Sequence, residues 1–125
     1  MSRQAIIVCG SRDWTDQGSI IAALRTFPCH TVVIHGDCRG ADRMAASVAT
    51  SIGFDNVIAM PAQWDENGKA AGPIRNAAML RVLLALRECG YWVEVLAFAL
   101  PSARGTRDMI RQAEHAGVKV QQVNR

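Results

Sequence analysis

Ala5-Ile6-Ile7-Val8-Cys9-Gly10-Ser11-Arg12-Asp13-Trp14 opens the chain with a short apolar run that stops at a glycine and a polar turn. Such a run has no polar alternation, so it reads as a strand buried on both faces, and the glycine marks the point where the chain leaves the sheet. The same grammar recurs downstream. Residues 31–35 are a second strand followed by Gly36-Asp37-Cys38-Arg39-Gly40, residues 56–60 a third followed by Pro61, and residues 93–99 a fourth followed by Pro101. Residues 118–123 read as a last, partly exposed strand.

Helix-period segments fill the intervals. Residues 17–26 carry Ile20, Ile21, Leu24 and Phe27 as an apolar stripe and stop at Pro28. Residues 41–52 are alanine-rich and end at Gly53. A third helix starts at Pro73, which suits a first helical turn, and runs to about Arg87 before Gly90. The last follows 101–106, ends near Ala116 and is capped by Gly117. Residues 61–72 form the longest loop, with Trp64, Asp65, Glu66 and Lys69.

Alternating strands and helices define an α/β protein with a Rossmann-like, doubly wound parallel sheet and helices on both faces. The expected strand order is 3-2-1-4-5, in a single domain over 1–125. Ligands of such sheets bind beyond the C-terminal strand ends where the winding reverses, here between strands one and four.

Length and composition agree with this class. The chain has 125 residues, 50% hydrophobic and 20% charged, which excludes a disordered or fibrous protein. Its 14 Lys plus Arg against 11 Asp plus Glu give only +3, far from the excess of a DNA-coating protein, so nucleic acid is not the expected partner. No stretch approaches the ~20 apolar residues of a membrane span, and no signal-peptide pattern opens the chain, so a cytoplasmic location without membrane contact is expected. Cys9, Cys29, Cys38 and Cys89 lack the close spacing that structural zinc needs. They read as reduced thiols, and neither a metal nor a cofactor is expected.

Four loops at the strand ends hold the unusual chemistry: Gly10-Ser11-Arg12, residues 36–42, residues 64–76 and Arg104-Gly105-Thr106. Glycines let the backbone turn tightly against a ligand, and helix N-termini offer N–H groups to anions. Gly36 to Gly40 fits simple turn chemistry equally well. Neither the Walker A pattern nor Gly-x-Gly-x-x-Gly follows strand one, which disfavours an ordinary NTPase or NAD-dependent dehydrogenase.

Arg12, Arg39, Arg75 and Arg104 fall in or just after these loops, where guanidinium forks suit phosphate. Arg75, set in a first turn by Pro73, opposes the helix dipole and calls for an anionic partner. Asn76 beside it suits a base, a ribose or a loop carbonyl. Asp37, Asp42, Asp65, Glu66 and Asp108 are ribose-binding or acid/base candidates, although Asp42 and Asp108 also fit the first turn of a helix as dipole partners. Trp14 and Trp64 read either as base-stacking surfaces or as cover for the core edge. The helix from Pro73 to Arg87 leaves no broad polar face, which leads to the expectation of a homodimer or higher homo-oligomer through it.

Four segments carry a resemblance. They are Gly10-Ser11-Arg12-Asp13-Trp14, His35-Gly36-Asp37-Cys38-Arg39-Gly40-Ala41-Asp42, Trp64-Asp65 through Gly72-Pro73-Ile74-Arg75-Asn76-Ala77-Ala78-Met79, and Ala97-Phe98 through Gly105-Thr106-Arg107-Asp108. In order and spacing they resemble the SLOG superfamily of Rossmann-like proteins, in its small YspA or cpYpsA-related branch. The resemblance implies recognition of nucleotides or nucleotide-derived ligands such as ADP-ribose species, often in conflict between bacteria and phages.

Relatives in the LOG group are phosphoribohydrolases that use an Arg-Asn helix start and a Pro-Gly-Gly-x-Gly-Thr-x-x-Glu loop. The chain keeps Arg75-Asn76 and Gly105-Thr106, but Ser102-Ala103 replaces the paired glycines and Met109 stands at the glutamate position. Methionine cannot move a proton. Adjacent helical residues point about 100° apart, so Asp108 is expected to need a local change of geometry to reach that site.

Three readings follow. The first is a module that senses or sequesters a nucleotide-derived small molecule. Gly10, Ser11, Arg12, Trp14, Gly36, Asp37, Arg39, Gly40, Asp42, Trp64, Arg75, Asn76, Arg104, Gly105 and Thr106 are its expected ligand-binding residues. The second is a nucleoside 5′-monophosphate phosphoribohydrolase with Arg75, Asp108 and Asp42 as its catalytic set. The third is single-stranded nucleic-acid binding of the kind the broader superfamily implies.

Overall fold

The computed structural model describes residues 3–101 and 103–124. Five strands, β1 (Gln4–Gly10), β2 (Val32–His35), β3 (Asn56–Ala59), β4 (Trp92–Ala99) and β5 (Lys119–Asn124), form one sheet in the order β3-β2-β1-β4-β5. All four pairings are parallel. The doubly wound order expected from the sequence is the observed one.

The burial of β1 explains its central place. Ala5 through Cys9 are all buried, with Ile7 in one core cluster and Ile6 and Val8 in the other. Helices α1 (Gln17–Leu24) and α2 (Ala41–Ser51) close one face through Ile20, Leu24, Ala45 and Val48. Helices α4 (Ala71–Glu88) and α5 (Arg104–His115) close the other through Met79, Leu83, Met109 and Ala113. The chain therefore changes faces after β3, and the winding reverses between β1 and β4, which pair in register from Gln4↔Trp92 to Gly10↔Phe98. The loops leaving these neighbouring strands run to helices on opposite faces, α1 after β1 and α5 after β4, leaving a crevice between them.

Several local expectations are corrected. Helix α1 ends at Leu24, not at Thr26, because the following amides of Thr26 and Phe27 turn back to the Ala23 and Leu24 carbonyls in a tighter turn. The long loop is not structureless. It contains the helical turn α3 (Trp64–Asn67), a 3₁₀ turn at Gly68–Ala70, and the first residues of α4. Pro73 is the third residue of α4, where its missing N–H is still one of the unpaired donors of a helix start. That moves Arg75 into the second turn.

Helix α5 likewise begins early, so Arg104, Gly105 and Thr106 are helical and Asp108 lies in the second turn. The paired-glycine replacement at Ser102 lies outside the described residues. Ile74 is the large apolar side chain that α4 leaves exposed, at 48%. Val82, Leu84 and Leu86 are half-buried against the α4–α5 core. Among the described residues, no helix is long and apolar enough to cross a membrane.

Candidate functional site

Two strand-end loops make the floor. After β1, Ser11 is buried, its amide donates to Phe98 O (2.9 Å) and its carbonyl accepts from Ala41 N (3.1 Å). Its hydroxyl accepts from Asp13 N (3.1 Å), so the side chain is committed to shaping the turn. After β2, Gly40 adopts φ +80°, and a Cβ there would collide with the backbone of Ser11 and Arg12. Only glycine allows the loops to touch in this way. Gly36 is also confined, because a Cβ would overlap the Arg75 guanidinium that lies across it.

Arg75 ties the floor to α4. Its Nη1 donates to Gly36 O (2.7 Å) and approaches Cys38 Sγ (3.7 Å), and its Nε donates to Asn76 Oδ1 (3.0 Å). Among the described residues it makes no ion pair within 4 Å, and the buried Asp42 carboxyl is the acidic group that feels its charge. No carboxylate meets it at contact distance, so the anionic partner expected for it is not supplied by a direct ion pair.

Asn76 is 3% exposed and spends its groups on protein. Besides accepting from Arg75, its Nδ2 donates to Gly105 O (3.1 Å) and Asp108 Oδ2 (3.0 Å). Both amide hydrogens are consumed, so Asn76 links Arg75 to α5 and is not free to read a base. Asp108 in turn accepts from Gln112 (2.8 Å) and Arg111 (2.9 Å).

Above this network is a cavity of about 490 Å³, within the size range of small-molecule sites. The structure brings Gly10, Ser11, Arg12, Arg39, Asp42 and Trp64 to its wall from one side. Arg75, Asn76, Arg104, Gly105, Thr106 and Asp108 come from the other. Sequence positions almost a hundred apart thus share one site. Among the described residues, Arg12, Lys69, Arg75 and Arg104 have no ion-pair partner, and Arg39 has only an exposed contact with Asp13 at 3.6 Å. The wall is therefore rich in uncommitted cations. Arg12 lies over the ring of Trp64, 5.7 Å from its centroid.

Other expected residues fall elsewhere. Trp14 is 2% exposed, packs edge-on against Phe98 (centroids 5.6 Å apart) and donates its Nε1–H to Asp16 O (3.0 Å). It is a core residue and takes no part in the cavity wall. Gly36 and Asp37 line an adjoining hollow instead, and Gly40 is spent on the contact between loops. Asp65 and Glu66 sit exposed on α3, outside both walls.

The Asp108 expectation is also corrected. Met109 is fully buried in the core, while Asp108 lines the cavity with no change in helix geometry. The sequence carried the signal in the stripe Thr106, Met109, Ile110, Ala113, which fixes the buried face of α5. Reading also missed Cys9, Cys38, Lys69 and Met79 on the wall. The first two read as inert thiols, and Met79 as plain core.

Asp42 has the most perturbed carboxyl. It is 4% exposed, and burial raises it from 3.8 to about 6, against the opposing pull of Arg75 and of the Cys38 and Gly36 amides. The Gly36 amide donates to Oδ2 at 3.0 Å. Burial likewise pushes the Cys9 thiol up and the His35 imidazole down. His35 Nδ1 accepts from Asp37 N (3.0 Å), which requires that nitrogen to be unprotonated.

A carboxyl raised in the folded state favours folding while protonated, below the pKa it has in the unfolded chain. That contribution fades as pH rises through about 6. Between pH 4 and 7 the wild type should thus lose roughly 2–3 kcal/mol of stability relative to Asp42→Asn. Urea midpoints across this range test it, and parallel curves would refute the assignment.

Five parallel strands and a cationic cleft at the winding reversal define a doubly wound α/β protein with a small-molecule-sized site. A model of the YspA, cpYpsA-related SLOG family matches residues 4–66, covering the floor loops through α3. The gene 61 protein of Mycobacterium phage D29 is 34% identical over 123 residues, 92% of each chain. The chain belongs to the YspA, cpYpsA-related SLOG family. The Arg75–Asn76–Asp108 network comes from beyond the segment matched by the family model.

Proposed function

We propose that the protein binds a nucleotide or nucleotide-derived small molecule in the cleft between β1 and β4, as a sensor or a sequestering protein. The observation that carries this reading is Arg75: a half-buried guanidinium, held by Gly36 O and Asn76, on a cavity wall and in no direct ion pair among the described residues. A phosphate is the natural complement, because it accepts a guanidinium fork and brings an opposite charge into direct contact. Arg12 and Arg104 extend the cationic wall, and family membership favours a nucleotide over other phosphorylated molecules.

Trp64 offers a direct test. It is 48% exposed on the cavity wall, whereas Trp14 is buried. Titration with adenosine 5′-monophosphate should quench tryptophan fluorescence saturably, and Trp64→Phe should remove most of the change. Equal quenching in both proteins would count against binding at this wall.

Hydrolysis is the second reading, and one observation favours it: Asp42 and Asp108 both line the cavity. Asp108, held in place by Asn76, Arg111 and Gln112, would stabilise positive charge on the sugar as the base leaves, with Arg75 orienting the phosphate and Asp42 the available acid. Binding ranks first because the glutamate position of the hydrolases is occupied here by a core methionine.

Association through α4, from Pro73 to Arg87, belongs to the same proposal, with Ile74 as its exposed apolar contact. Light scattering should return at least twice the 13.6 kDa chain mass, and a monomer would remove this element.

A further inference from the structure

Gly36 joins a buried acid to a cation. Its amide donates to Asp42 Oδ2 (3.0 Å), and its carbonyl accepts from Arg75 Nη1 (2.7 Å). A Cβ here would overlap the guanidinium, so only glycine lets Arg75 lie this close to the Asp42 anchor. Cys38 N also approaches Oδ2 (3.5 Å), whereas Oδ1 has no hydrogen-bond partner among the described residues, and Asp42 lines the cavity. One carboxyl oxygen thus anchors the turn and the other is left for the cleft.

A phosphate that forks onto Arg75 comes close to that second oxygen. Ionised Asp42 repels it, in a site where little water screens the two charges. Protonated Asp42 does not, and can donate its hydrogen to a phosphate oxygen. The carboxyl is poised for this change, since burial raises it to about 6.

The other titratable groups around Asp42 are already committed. Cys9 faces it from β1 as a thiol pushed up by burial. Asp37, on the turn after β2, pairs with Arg43 (3.3 Å), and Asp108, on α5 across the cavity, pairs with Arg111 (2.9 Å). Burial pushes His35 down, and its Nδ1 accepts from Asp37 N. On the wall, Asp13 pairs with Arg39, and Arg12, Lys69 and Arg104 are cations. Helix α1 and strand β3, which also pack on α2, carry no titratable side chain.

We propose that Asp42 selects the charge state of the loaded cleft: a phosphate group on Arg75 is bound together with one proton, held on the Asp42 carboxyl. This rests on the nucleotide reading of the cavity and adds its regulation. By linkage, a proton that favours the phosphate is itself favoured by it, so phosphate affinity falls as Asp42 ionises.

Titration of wild type and Asp42→Asn with AMP at about pH 5.5 and about pH 7.5 tests this, with adenosine as the uncharged control. Asparagine keeps an oxygen for the Gly36 amide. The AMP phosphate titrates near about pH 6, and His35 is present in both proteins, so the ratio of their dissociation constants isolates position 42. That ratio, wild type over variant, should rise about tenfold between the two conditions for AMP and stay flat for adenosine. Wild type alone gives a second reading. Calorimetry at about pH 7 in two buffers of different ionisation enthalpy should show proton uptake with AMP and none with adenosine. A guanidinium by itself favours the phosphate dianion and would drive proton release instead.

A ratio that does not change with pH, a uniformly weaker variant included, or AMP binding without proton uptake would overturn the coupling while the nucleotide reading stands. If AMP does not bind the wild type, both claims fail.

Discussion

Arg75→Ala should weaken binding of AMP at least 100-fold while changing the affinity for adenosine only slightly. The guanidinium is anchored at Nε and Nη1 by Asn76 and Gly36 O, and Nη2 has no protein partner among the described residues. It is thus preorganised, and its truncation removes a charge-assisted contact without loosening a buried ion pair. Hydrogen bonds to charged groups contribute roughly 1.5–3 kcal/mol each, and a fork supplies two. Arg75→Lys should restore little, because an ammonium cannot hold Gly36 O and Asn76 while presenting a second donor edge. Calorimetry on both ligands checks this, and an equal loss for adenosine would show that Arg75 shapes the cavity without meeting phosphate.

The second large effect concerns the fold. Gly40→Ala should cost about 4 kcal/mol, read as a lower urea midpoint at unchanged slope. A left-handed backbone penalises alanine by about 1–2 kcal/mol, and the new methyl would meet the Ser11 and Arg12 backbone, which cannot rotate away. Overpacking adds roughly 1–3 kcal/mol. The same change at Gly105, where a Cβ meets nothing, should be tolerated and serves as the control. A loss under 1 kcal/mol at Gly40 would mean that the two loops part easily, contrary to the packed floor described above.

These two residues show what the sequence makes legible. The apolar run 5–9 and its glycine announce a central strand on local grounds, and the alternation of elements narrows the strand order to a few, of which the expected one is observed. Arg75 stands out because a cation near a helix start needs a reason. The phase of α5 was legible too, in the stripe through Met109, but only once the helix start at Arg104 is fixed.

Other features depend on tertiary contacts that no local pattern encodes. Trp14 and Trp64 have the same side chain in similar loops, yet Phe98 and the Asp16 carbonyl claim the first, while α3 lifts the second to the cavity wall. Asn76 lies beside Arg75 in sequence, but its commitment to Gly105 and Asp108 depends on how α4 meets α5. The helix start at Ala71 was hidden because proline is acceptable anywhere in a first turn.

Whether the cleft holds a nucleotide intact separates a binding protein from a hydrolase. The direct measurement is mass spectrometry of bound and free small molecules after incubation with nucleoside monophosphates, ADP-ribose and cyclic ADP-ribose, for wild type and Arg75→Ala. The wild type should retain an unaltered nucleotide-type ligand, and the variant should release it. No retention at millimolar ligand would contradict it, and free base with ribose phosphate would make the protein a hydrolase instead.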